Sequence, residues 1–112
     1  MAKVLGIHLL DLKPGVTDEQ EQQMAARMTR EFSMPGLTTR MAKGDRGPRA
    51  GQYMMVLEVD SVERRDRYFP GSGKESAEFN QHAVPLAALM EQAGAVFVFP
   101  DPNFNDYVVI GE

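Results

Sequence analysis

Two stretches, Val4 to Leu10 (VLGIHLL) and Tyr53 to Asp60 (YMMVLEVD), are apolar on both sides of an extended chain. Successive side chains of a strand point to opposite faces. Val4, Gly6, His8 and Leu10 therefore share one side of the first stretch, and Leu5, Ile7 and Leu9 the other. In the second stretch Tyr53, Met55, Leu57 and Val59 stand opposite Met54 and Val56. A sheet built on such strands has to bury both faces. A chain of 112 residues holds one sheet and a few helices, a single domain over residues 1–112, with helices enough for one face. The other face calls for a partner, most simply a second copy of the chain.

The rest of the chain supplies those helices. The first strand closes at Lys-Pro-Gly, and Thr17 begins a helix. The Thr17 hydroxyl accepts from the amide three residues on while Gln20 reaches back, a capping box, and Asp18 and Glu19 suit the positive end of the helix dipole. Met24, Met28 and Phe32 recur every fourth residue with Ala25 beside them, one apolar stripe to lay on a sheet. Met34-Pro35-Gly36 ends that helix. Leu37 to Lys43 reads as a strand leading through the glycine-rich GDRGPRAGQ into the strand from Tyr53, a hairpin with a long loop. Ser61 caps a short helix that carries Val62, Arg65, Tyr68 and Phe69. After a glycine loop, Phe79, His82, Ala83, Leu86, Leu89, Met90 and Ala93 mark a second helical stripe ending at Gly94, broken or kinked at Pro85. AVFVF, residues 95–99, reads as a strand, and DYVVIG, residues 106–111, as a further one on the same sheet or on the partner's. Strand, helix, strand, strand, helix, strand is the split β-α-β order called ferredoxin-like, an α+β antiparallel sheet with helices on one face.

Composition narrows the chemistry. Zero cysteines remove disulfides, thiolate nucleophiles and zinc-thiolate sites together and fit a reducing, cytoplasmic setting. Only two histidines and the carboxylates remain for a metal, so neither metal nor cofactor is expected. A net charge of −4 gives no field for nucleic acid. No segment approaches the length of a membrane span. The basic run RMAKGDRGPR offers Arg40, Lys43, Arg46 and Arg49 either as a steering patch for an acidic substrate or, more commonly, as a solvated hairpin loop. GSGKES lacks the first glycine and the feeding strand that a phosphate loop needs.

Two quoted stretches carry a family resemblance: HLLDLKPGVTDEQ at the front, and GQYMMVLEVDSVERRDRYF in the middle, an apolar strand, an Asp-Ser turn and a helix ending in an aromatic pair. Together they resemble the dimeric α+β barrel superfamily, closest to its stress-responsive branch and next to its antibiotic-biosynthesis monooxygenase branch. The resemblance implies a homodimer with one cavity per subunit. In the cyclases of the first branch a tyrosine near the end of the second helix and a histidine shortly after it act as acid and base. Tyr68 stands in the matching place, and His82 is the nearest histidine. The family's His-Pro-x-His run is absent, and PGSGKESAEFNQ intervenes. Haem degraders of the superfamily resemble one another in a tryptophan that this chain lacks.

Three residues are thus the candidates for catalysis, each with a plainer alternative. His8 lies on the parity assigned to the cavity face. It is either a buried, hydrogen-bonded histidine or, since imidazole titrates near neutrality, an acid/base group. His82 shares its stripe with Phe79 and Leu86 and reads as a packed helix histidine or a second base. Tyr68 either stabilises a developing oxyanion or packs as an aromatic. Tyr53 reads as interfacial packing with its hydroxyl at the rim. Two functions remain: cofactor-free cyclase, isomerase or monooxygenase chemistry on a small apolar or aromatic molecule, and a non-catalytic stress-related or ligand-sensing dimer with structural histidines.

Overall fold

A computed structural model describes residues 2–71, 73–98 and 104–111. Strand β1 (Val4–Leu12) leads to helix α1 (Asp18–Glu31). Strands β2 (Leu37–Lys43) and β3 (Tyr53–Val59) follow, then helices α2 (Val62–Tyr68), α3 (Ala77–Ala83) and α4 (Ala87–Gly94), and strands β4 (Phe97–Val98) and β5 (Phe104–Val108). The fold is α+β, with one antiparallel open sheet in the order β2-β3-β1-β4, and β5 also on β1.

Local chemistry sets the helix ends as expected. The Thr17 hydroxyl accepts from the Gln20 amide, and the Gln20 side chain accepts from the Thr17 amide at 2.9 Å, satisfying two orphan donors at once. The Ser61 hydroxyl accepts from the Arg64 amide in the same way. Pro85 divides the long helical stripe: α3 ends at Ala83, a 3₁₀ turn spans Val84–Leu86, and α4 begins at Ala87. A proline has no amide to donate and clashes with the preceding turn, so the division falls where it stands. In the β2–β3 loop the Gly44 amide donates to the Gln52 carbonyl. A Cβ at Gly44 would fall 2.0 Å from the Arg49 carbonyl oxygen, which requires glycine there.

The two faces of the sheet differ. Val4 pairs with Val59, Gly6 with Leu57, His8 with Met55 and Leu10 with Tyr53, so these residues share one face with Leu37, Thr39 and Met41 of β2. The helices cover that face. Met24, Met28 and Phe32 of α1, Tyr68, Phe79, Leu89 and Ala93 pack with Val4, Leu10, Leu37, Tyr53 and Phe97 into one core, each fully buried large side chain contributing about 1.5–3 kcal/mol. On the other face Leu5, Ile7, Leu9, Met54 and Val56 are only half-buried, and Val98 and Tyr107 are exposed. The apolar second parity of β1 and β3 is thus uncovered in the single chain.

The tail joins its own sheet. β4 pairs with Asp11 and Leu12, and β5 with Val4 through His8, on the edge of β1 away from β3. Both run antiparallel to β1, so they follow one another along the same edge. The strand expected from DYVVIG begins two residues earlier, at Phe104. Phe99, the last residue of the AVFVF expectation, lies outside the described residues. Among the described residues no helix is long and apolar enough to cross a membrane.

Candidate functional site

Between the helix-covered face and helices α2, α3 and α4 the core is hollow. A cavity of about 350 Å³ lies there. Its floor is the sheet: Val4, Gly6 and His8 of β1, Met55, Leu57 and Val59 of β3, and Phe104 and Asp106 of β5. Its roof is Arg65 and Phe69 at the end of α2, Phe79 of α3 and Met90 of α4, and Gly73 and Glu75 of the glycine loop complete it. A neighbouring hollow of about 440 Å³ shares Arg65, Phe69, Gly73, Phe104 and Asp106 and adds Asp66.

The alternation of β1 places His8 on this floor. Its ring stacks on Phe104, directly paired with it across the strands, at 5.4 Å between centroids and 20° between planes. Burial pushes the His8 imidazole below the ordinary histidine range, and the Asp106 carboxylate opposes that shift without cancelling it. Loss of water disfavours the charged ring, and a nearby anion favours it. His8 is therefore neutral at pH 7, with one ring nitrogen free to accept a proton.

Asp106 is paired with Gly6, which puts its carboxylate on the same face, one step diagonally from His8. Asp106 Oδ2 accepts from Arg65 Nη1 at 2.9 Å, and Arg65 Nε donates to Asp66 Oδ1 at 2.8 Å. The guanidinium thus ties β5 to α2 at the cavity rim. Gly6 keeps the floor open, because a Cβ there would fall 3.2 Å from Asp106 Oδ1.

The other two candidates stand elsewhere. Tyr68 is fully buried, its hydroxyl donates to the Pro35 carbonyl at 2.6 Å, and it does not line the cavity. His82 is half-buried and meets the Tyr68 ring edge-on at 6.0 Å, with Phe79 edge-on to the same ring at 6.1 Å. The structure brings Tyr68 and His82 together across the glycine loop, but behind the cavity wall and apart from His8. Tyr53 is buried on the helix-covered face rather than standing at a rim. It packs on Phe97 at 5.1 Å, and its hydroxyl has no hydrogen-bond partner among the described residues.

Arg65, Phe104 and Asp106 were not singled out for the site by the sequence. The signal for the last two is strand parity: Phe104 and Asp106 alternate with Asn105 and Tyr107, but reaching His8 takes the β1–β5 register. Among the described residues no group of three histidines or carboxylates is placed to hold a metal ion. Comparison with known protein families, with curated proteins and with solved structures gave no match.

Proposed function

We propose that the protein is a homodimeric, ferredoxin-like α+β barrel that binds a small, largely apolar or aromatic molecule in the cavity between its sheet and helices, with His8 as the proton-transfer group of cofactor-free cyclase, isomerase or monooxygenase chemistry. The observation that carries this reading is the cavity itself, an apolar chamber with a neutral imidazole on its floor. The strand order β2-β3-β1-β4, with α1 between β1 and β2 and the other helices between β3 and β4, supports the ferredoxin-like class. The half-buried row Leu5, Ile7, Leu9, Met54 and Val56 supports the dimer, since a second sheet laid on it would take these side chains out of water.

One observation favours the rival reading, a ligand-sensing dimer without catalysis. The Tyr68 hydroxyl donates to a backbone carbonyl and lies outside the lining, so the oxygen-stabilising donor that the family resemblance implies is not presented to the cavity. Screening aromatic and polyketide-like molecules for binding and turnover on wild type and His8→Ala separates the two. Binding by both proteins with turnover by wild type alone supports the enzyme. Binding without turnover by either leaves the sensor, and no binding at all removes both. Sedimentation velocity tests the dimer independently: a one-chain mass at micromolar concentration contradicts it.

A further inference from the structure

The charge around the cavity is predominantly negative. Arg65 is the one cationic side chain among the described residues lining it; its Nε and Nη1 donate to Asp66 and Asp106, and its Nη2 makes no hydrogen bond to a described residue. Asp106 uses Oδ2 for that pair. Its other oxygen, Oδ1, lies above the bare backbone of Gly6 and takes no hydrogen bond from a described residue. His8, one diagonal step away, adds a second acceptor. Glu75 also lines the cavity and makes no ion pair among the described residues. Its neighbour Lys74 packs its stem against Gly71 and is not part of the lining. One guanidinium thus pairs with two carboxylates, Asp66 and Asp106, and a third, Glu75, lines the same cavity. The apolar lining includes the rings of Phe69, Phe79 and Phe104, and ring faces attract cations.

From this arrangement we infer the charge class of the ligand: a small aryl-alkyl amine in its protonated form, its apolar body under Phe79 and its ammonium donating to Asp106 Oδ1 and His8. The inference rests on the reading of this cavity as a ligand site. A carboxylate guest bonded to Arg65 Nη2 would sit against the carboxylates of Asp66, Asp106 and Glu75, whereas an ammonium meets acceptors already in place.

Three probes that share a benzyl body test it on the full chain by amide NMR titration: 2-phenylethylamine, 2-phenylethanol and phenylacetate. The amine is expected to shift Gly6, His8 and Phe104 saturably and to bind about tenfold more tightly than the alcohol, with phenylacetate weakest. Asp106→Asn keeps the side-chain shape and is expected to erase the amine's advantage while leaving alcohol binding in place. Glu75→Gln, an exposed position outside every element, is expected to reduce that advantage in part even if the Asn variant loosens β5. Added salt should narrow the gap between amine and alcohol, because the rim charges face solvent. Equal or tighter binding of phenylacetate or the alcohol overturns the charge inference and leaves the ligand cavity standing. No shift with any probe overturns the ligand cavity itself.

Discussion

The same sheet face is packed solid at one end and hollow at the other. Under α1 the stripe of Met24, Met28 and Phe32 lies in one core with Leu10, Leu37 and Tyr53, and Met28 and Leu37 are wholly out of water. Under α2, α3 and α4 the floor includes Gly6 and His8, one without a side chain and one polar, and the roof stands off by a chamber of about 350 Å³. Interiors ordinarily close to crystal-like density. The packed end is built from unbranched and aromatic side chains at helical spacing, whereas the hollow end brings together a glycine, an imidazole and an ion pair that no apolar stripe would select. Where a fold gives up packing and places a titratable ring instead, a site is the physical expectation.

Substitution at matched residue types is the strongest way to sharpen this contrast. Met28→Ala in the packed end should cost about 2–5 kcal/mol in urea unfolding. Met90→Ala at the cavity roof, half-buried and already beside empty space, should cost less than about 1.5 kcal/mol. Equal losses would break the distinction between the two ends.

Tyr68→Phe comes next in size. It removes the donor to the Pro35 carbonyl inside the core, and unfolding should report a loss of about 1–3 kcal/mol. Binding of a neutral aromatic probe should stay within twofold of wild type, since Tyr68 does not line the chamber. A binding defect without a stability loss would return Tyr68 to the site.

The smallest effect is a pH slope. The His8 imidazole titrates below its ordinary value of 6.5 in the folded chain, so between that value and 6.5 the unfolded chain binds the extra proton. Stability is full above pH 6.5 and declines as pH falls through that window. His8→Gln should flatten this decline, measured as unfolding midpoints at pH 7.5 and 5 (both about one to two units from 6.5), with His82 retained in both proteins. An unchanged slope would mean that His8 is not held neutral.

Much of the frame was legible in local pattern. The Thr17–Gln20 box, the Ser61 cap, the break at Pro85 and the two-sided strands each depend on residues a few positions apart, and each stands where the periodicity places it. Strand parity also put His8 on the cavity face. What the sequence did not disclose depends on distant partners. The Tyr68 hydroxyl finds its acceptor 33 positions away, at Pro35. Asp106 meets Arg65 across 41 positions, and only through the pairing of β5 with β1. Local spacing carries no register for such contacts, so Arg65 read only as one residue of a short helix, and the tail as a strand on this sheet or on the partner's.

On the proposed reading, the hollow end receives a small apolar molecule beside His8. The direct measurement is amide NMR of the full chain titrated with neutral, planar 2-naphthol. Saturable shifts confined to Val4, Gly6, His8, Leu57, Phe79 and Phe104 are expected. Shifts absent there, or confined to Leu5, Ile7 and Leu9 on the opposite face, would contradict it.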